Sequence, residues 1–426
     1  MTMKGWRRIS VRWGAVVIRR LSAFVVLIAV SALVLVNIFT GSASATGPYY
    51  VSNTGSGSTC SLIAPCSITT AVTDINSSGG TIYLATGTYS LGGQLTISYA
   101  GSVTIQAESG TSPVLNAGFS SGVFYFGNTS TVASISGITI HGGTNSSAGG
   151  GIYNAANLTI TNDTVSNNTS GNSGMSMSGT GGGIYNRGTL TISDSTFNSN
   201  SVVGIAAGSL GVGGAIYSMN NLTISDSTFS GNSAPTNGYG GAIYFVGSAT
   251  ILDSTFSSNS AVGSGGAIDN VGTGTFSDST FSGNTATSGP DIWNGSTASV
   301  GGDIFGDSCV NAHTWNDLGY NAVPSANGCL SGGTGDVTSS TVTSDLGALA
   351  SNGGPTQTRL PMSGNAAIGM VPTGTATYCP AAGVADQRGG TSGAGLSCNA
   401  GSVQLDAQTI TFTSTAPTNP TIGGAT

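Results

Sequence analysis

Charge is what this sequence has least of. Only 6% of its 426 residues are Asp, Glu, Lys or Arg, against about 25% in an ordinary soluble domain. Ser, Thr, Asn and Gly must therefore cover most of its surface. Lysine is almost missing: Lys4 stands alone, and with Arg7, Arg8, Arg12, Arg19 and Arg20 it lies in the first twenty positions. Downstream of these only Arg187, Arg359 and Arg388 oppose sixteen carboxylates, a balance of −13. Such a surface repels the phosphates of nucleic acid and anionic membrane alike, so nucleic acid is excluded as a partner. Histidine is equally scarce, with His141 and His313 isolated from each other.

What is present begins with an apolar run, Leu21 to Phe39, behind the basic stretch and ahead of the small-residue site Ala43-Ser44-Ala45. This pattern reads as an export signal over residues 1–45. The run is also near the ~20 residues that cross a bilayer, so a retained anchor is the alternative. Either way the body of the chain is expected outside the cytoplasm, secreted or at the cell surface. The six cysteines agree. They fall as local pairs, Cys60/Cys66, Cys309/Cys329 and Cys379/Cys398, and an even count in an exported chain reads as disulfides. A metal site is the other use of cysteine, but no C-x-x-C occurs.

Internal repeats dominate the middle. A G-G-x-I block places Ile152, Ile184, Ile216, Ile243 and Ile268, and each unit runs on through an L-T-I-like stretch, a turn, S-T-F and an asparagine. The aligned turn position reads Asn162, Asp194, Asp226, Asp253, Asp278, the next apolar position Val165, Phe197, Phe229, Phe256, Phe281, and the last Asn168, Asn200, Asn232, Asn259, Asn284. A period near 25 built of short alternating segments is one turn of a solenoid. The fold class expected is mainly β, a right-handed single-stranded parallel β-helix of the pectin-lyase-like kind. Ser67 to Ile75, with Ile68, Ala71, Val72 and Ile75 at helical spacing, is read as a short N-terminal capping helix, with Cys60 and Cys66 pinning a loop ahead of it. Residues 46–300 are assigned to the helix body and N-terminal cap, 301–405 to C-terminal rungs and cap. Residues 406–426, with Gln408-Thr409-Ile410-Thr411-Phe412, are assigned to a linker or the start of an immunoglobulin-like repeat.

Two resemblances follow from these residues. Gly213-Gly214-Ala215-Ile216 with Phe229-Ser230-Gly231-Asn232 resembles the GGAI and FxxN tetrapeptides of chlamydial polymorphic outer-membrane proteins. The later segments Asn352-Gly353-Gly354-Pro355, Ala385-Asp386-Gln387-Arg388-Gly389 and Cys398 to Gln404 resemble the end of the choice-of-anchor Q surface proteins. Asn399 and Gln404 depart from the acidic residues usual there. These resemblances imply surface display and say little of activity, since fold does not carry function.

Two columns are candidate sites. Tyr153, Tyr185, Tyr217 and Tyr244 each follow the Ile of G-G-x-I and should point outward, as a glycan-binding stripe or as rings stacked on one another. Asp194, Asp226, Asp253 and Asp278 recur once per rung. They read as corner carboxylates bonding backbone N–H groups, and as oxygen ligands an edge of this kind could offer Ca²⁺. An inverting glycosidase would want carboxyls about 6.5–9.5 Å apart, and a lyase would want a cation beside its acids. No catalytic residue is assigned, because the series repeats where an active site would interrupt. The expected function is a non-catalytic surface protein, an adhesin or stalk. Its partners would be cell-surface glycans or other surface proteins, and it would reach a membrane only through the N-terminal segment or an anchor beyond residue 426. A polysaccharide lyase or glycoside hydrolase is the alternative.

Overall fold

The computed structural model describes residues 47–405 apart from 172–178, 204–209, 236, 326, 376–377, 381, 384 and 392–394. The export segment at 1–45 and the strand expected at Gln408–Phe412 lie outside these residues. No helix among the described residues is long and apolar enough to cross a membrane.

Each rung makes short strands in a fixed order, as in Ile184–Asn186, Thr189–Ser193, Thr196–Asn198 and Ser201–Val202. Equivalent strands of successive rungs pair in parallel and in register. They build a nine-stranded tyrosine sheet, an eleven-stranded threonine sheet, an eleven-stranded phenylalanine sheet and a short five-stranded one. The chain is a right-handed parallel β-helix, the hand that a crossover between parallel strands takes. At its N-terminal end the helix α1 (Ile68–Ser78) buries Ile68, Ala71, Val72 and Ile75. Ser67 caps it by accepting from the Thr70 N–H at 3.1 Å.

All three expected disulfides are formed, joining Cys60 to Cys66, Cys309 to Cys329 and Cys379 to Cys398. Cys60 and Cys66 pin the loop ahead of the capping helix as expected, and the backbone of Cys66 also extends the threonine sheet. Cys66 bridges Val51 in parallel, its N–H donates to the Tyr50 carbonyl at 3.0 Å, and its own carbonyl accepts from Ser52 N at 3.3 Å. The strand Pro48–Val51 would otherwise present an unpaired edge at this end, and edges of that kind invite pairing with other chains. The Cys60–Cys66 bond holds the cover in place, with both residues fully buried.

Alternation fills the interior. Phe197, Phe229, Phe256, Phe281 and Phe305 are fully buried and stack at 4.8–5.2 Å between ring centres. The column runs upstream through Val165, Ile140, Leu115 and Tyr89. The two glycines of each G-G-x-I block serve different needs. Gly213 has φ +69°, and a Cβ there would lie 2.1 Å from the Ile216 carbonyl oxygen. Gly214 has no such φ, but its Cβ would meet the Gly241 carbonyl oxygen of the next rung at 2.1 Å. The first glycine makes the corner; the second lets the rungs close to sheet spacing. Gly214→Ala is expected to cost about 1–3 kcal/mol by overpacking against backbone. Gly92→Ala, with nothing within 4 Å of its Cβ, should stay within about 0.5 kcal/mol. Urea unfolding of the two variants checks both.

The asparagine column forms an amide ladder, and it is internal. Nδ2 of Asn168, Asn200, Asn232 and Asn259 each donates to Oδ1 of the next asparagine at 2.9–3.1 Å. Each also bonds a carbonyl of the preceding rung. A second amide pairing joins Asn154 to Asn186 at 2.7 Å and Asn270 to Asn294 at 2.8 Å.

At the other corner the expectation needs correcting. The N–H groups there are held by the serine that follows each aspartate, and not by the aspartate. Asp163 N donates to Ser195 Oγ, Ser195 N to Ser227 Oγ, Ser227 N to Ser254 Oγ and Ser254 N to Ser279 Oγ, all at 3.1–3.2 Å. Ser279 N continues the line to Asp303 Oδ1 at 2.8 Å. Asn162, Asp194, Asp226, Asp253 and Asp278 all have φ between 45° and 56°. A residue in this left-handed conformation turns the chain, which aims its own side chain away and the next one inward.

Beyond residue 300 the rungs continue through Ile304–Phe305, Cys309–Asn311, Thr314–Asp317, Ala322–Val323 and Val337–Thr338, followed by the short helix α2 (Thr341–Ser344). The rest doubles back along the outer face of the phenylalanine sheet. Thr356 Oγ1 donates to the Asp226 carbonyl, Arg359 Nε to Ser257 Oγ, and Ser402 N to Thr280 Oγ1. Gln387, wholly buried, accepts from Thr255 Oγ1 at 2.6 Å and donates to Thr228 Oγ1 at 2.9 Å and the Ser227 carbonyl at 3.2 Å. This segment is therefore a strap along the side of the last rungs.

Candidate functional site

The tyrosine sheet turns inward its Ile152, Ile184, Ile216 and Ile243, all buried, and so turns the alternate tyrosines outward. Tyr153, Tyr185, Tyr217 and Tyr244 form one pile with ring centres 5.2–5.5 Å apart. A fifth ring, Tyr125, continues it at 4.7 Å from Tyr153. Stacked aromatic neighbours of this kind add about 0.5–1.5 kcal/mol per pair beyond area burial. Arg187 Nη1 donates to the Tyr153 hydroxyl at 3.4 Å. Burial raises the hydroxyl pKa of Tyr185 and Tyr217, and raises that of Tyr244 to about 12 with the help of Asp269. These three hydroxyls thus stay neutral.

Tyr125 was missed in the sequence because its strand, Phe124–Phe126, has no G-G block before it and is aromatic at every position. Its register with Tyr153 is plain in the sheet. Beside it, at the corner between the tyrosine and threonine sheets, lies a hollow of about 460 Å³. A second, of about 250 Å³, continues along the same corner past Asn157, Thr189 and Asn221 and shares Thr129 with the first.

Asp194, Asp226, Asp253 and Asp278 also form a column, since the strand residues that precede them pair in register. The column passes from half-exposed at Asp194 to buried at Asp278 as the strap closes over it. Desolvation raises all four, with Asp226 pushed to about 6, and repulsion from neighbouring carboxylates adds to it at Asp226, Asp253 and Asp278. The strap brings Asp386 beside them, a neighbour no repeat could announce, but Asp386 is already paired with Arg388 at 2.6 Å. Among the described residues no three of His, Cys, Asp and Glu converge as metal ligands would. The sulfurs of Cys60, Cys66, Cys309, Cys329, Cys379 and Cys398 are all committed to disulfides. The Asp column is brought together as a line and not as a nest. Of the cations, Arg359 reaches Ser257 on the strap-covered sheet and Arg187 lies on the tyrosine pile.

Further carboxylates are sealed inside. Asp163 and Asp303 are each pushed to about 8 by desolvation. Asp291, wholly buried at the end of the asparagine ladder, accepts from Asn284 Nδ2 at 3.0 Å and from Asp307 N at 2.8 Å. These groups close ladders and touch no opening. His141 bonds Ser166 at 3.2 Å, and Trp315 donates to the Cys329 carbonyl at 3.1 Å.

The model of the Chlamydia polymorphic membrane protein repeat matches residues 226–246 and 253–270. These stretches hold Phe229, Asn232, Phe256, Asn259 and the G-G-A-I blocks at Gly240 and Gly265, so the match falls on the residues that make the ladders and the stack. No curated protein and no solved structure gives a significant match. Residues 226–246 and 253–270 of this β-helix are thus similar to the Chlamydia polymorphic membrane protein repeat.

Proposed function

We propose that this protein is a non-catalytic component of the cell surface, an adhesin-like stalk whose tyrosine face binds glycans. The observation that carries the reading is the pile of five outward tyrosines on a rigid solenoid, bordered by an uncharged polar corner. A five-ring pile holds its hydroxyls in a fixed row, and rigid aromatic contact area loses little side-chain entropy on binding. The polymorphic-membrane-protein repeats support surface location, as does the resemblance of the C-terminal segment to choice-of-anchor Q proteins. The three disulfides suit an oxidising compartment. The purified full chain is expected to bind oligosaccharides on a glycan array without cleaving them. Binding to no glycan at all, or release of reducing ends or unsaturated uronates from polysaccharide, would overturn the proposal.

A further inference from the structure

Within the tyrosine pile most ring faces are already occupied. Tyr153, Tyr185 and Tyr217 each have a ring on both sides, at 4.7–5.5 Å. A sugar lying between two rings would need carbon contacts of about 3.5–4.0 Å on each side, so these gaps admit nothing. Free faces belong to the ends.

One end is closed. The rung after Tyr244 carries Asp269 in register, and the next carries Trp293. Asp269 is buried, with Oδ2 accepting from Ser264 Oγ.

The other end is open. The rung before Tyr125 carries the short side chain of Thr96, and Tyr125 is 36% exposed. Its ring lies across Gly127, where a Cβ would come within 2.3 Å of Cε1. The 460 Å³ hollow opens here, lined by Thr96, Ser98, Asn128 and Thr129 beside the ring. This volume falls in the range of small-ligand sites, roughly 300–1,000 Å³. Asn128 fixes its floor across two rungs, with Nδ2 donating to the Ser98 carbonyl at 2.9 Å and Oδ1 accepting from Ser130 N at 2.9 Å. The backbones of Thr96 and Ser98 are tied to the Asn76 amide. The hydroxyls of Thr96, Ser98 and Thr129 bond no described residue. No charged side chain lines the hollow.

We infer that the open end of the pile is a subsite for one uncharged pyranose ring, its apolar face on Tyr125 and its hydroxyls on Thr96, Ser98 and Thr129. The glycan continues along the adjoining corner past Asn157 and Thr189. The inference rests on the glycan-binding reading and adds the place and the chemical class. An acidic sugar has no cation to meet there.

Calorimetric titration of the full chain with cellopentaose, chitopentaose, mannopentaose and pentagalacturonate tests it. At least one neutral sugar is expected to bind. Tyr125→Ala should weaken that binding by about tenfold or more, while Tyr125→Phe, which keeps the ring face, stays within about threefold. Should Tyr125→Ala fail to fold, Thr129→Trp on the rim fills the hollow, leaves the pile intact and is expected to give the same loss. Neutral-sugar binding that survives both changes overturns the subsite and leaves the glycan reading standing. Preference for pentagalacturonate overturns the chemical class. Binding to no glycan on the array overturns both.

Discussion

Replacing Asn232 by alanine is expected to lower the unfolding free energy by about 3–5 kcal/mol, more than any single contact on the surface could. The side chain makes four hydrogen bonds in a dry interior. Nδ2 donates to the Phe197 carbonyl and to Asn259 Oδ1, and Oδ1 accepts from both N and Nδ2 of Asn200, all at 3.0 Å. Alanine strands the Asn200 N–H and one Asn200 amide hydrogen, and takes from the Phe197 carbonyl one of its two donors. Each unsatisfied buried group costs about 1–3 kcal/mol. Because rungs contact only their neighbours, the break should also split the urea transition into two, one for each side of the gap. Asn232→Asp, the same shape with acceptors only, should be worse at pH 7 than alanine, since it sets a carboxylate against the Phe197 carbonyl. Urea unfolding followed by circular dichroism measures both. A loss under about 1 kcal/mol would mean that water substitutes for the ladder.

Much of this architecture was legible because a stacked repeat writes its neighbours into its period. Residues a constant step apart in sequence must be neighbours across rungs, so the phenylalanine, asparagine and tyrosine columns could be read directly as spatial lines. Their inward or outward sense followed from alternation within a strand. Alternation fails at corners. In Asp226-Ser227-Thr228-Phe229 the period places Asp and Ser equally well in a column, and only the φ of +53° at Asp226 decides that Ser227 points in. Periodicity alone therefore assigns the N–H groups to the wrong neighbour by one residue.

Features outside the repeat were beyond reach for a different reason. Gln387 meets Ser227 across 160 residues and Arg359 meets Ser257 across 102, with no period to relate them. Cys66 likewise pairs with Val51 on a sheet edge that no repeat announces, although its bond to Cys60 was plain from their spacing. The candidate site was half legible. Four of its tyrosines stand in the period, but the ring that leaves a face open, Tyr125, sits in an irregular rung. The proposed site thus lies where the repeat is broken, at positions a period describes worst.

Stability is expected to be greatest near pH 4 and to fall steadily toward pH 8, the reverse of the usual acid sensitivity. Asp163 and Asp303 have folded-state pKa values of about 8, Asp269 about 7, and Asp226 about 6, while an aspartate in the unfolded chain titrates near ~3.9. In each the folded state holds its proton more tightly. Folding therefore takes up protons between these values, and stability declines as pH rises through the window. Asp303 is wholly buried and keeps its proton in the folded chain, so ionisation of the same group in the unfolded chain can remove up to about 5 kcal/mol by pH 8, at about 1.4 kcal/mol for each pH unit. The first cause is desolvation; Asp317 adds repulsion. Asp303→Asn should leave stability at pH 4 nearly unchanged and flatten the decline above pH 6. The geometry admits the amide: one rung on, Asn321 fills the same place in the ladder, its Oδ1 accepting from Asp303 N at 3.0 Å as Asp303 Oδ1 accepts from Ser279 N. Asp163→Ser restores the serine that the next four rungs have at this corner and removes a buried oxygen, Oδ2, that has no partner. It should likewise stabilise the protein at pH 8. Thermal melts at half-unit steps from pH 4 to pH 9 decide the matter. A melting temperature that rises from pH 4 to pH 7, or an Asp303→Asn profile that parallels the parent, would show that these carboxylates ionise freely inside the helix.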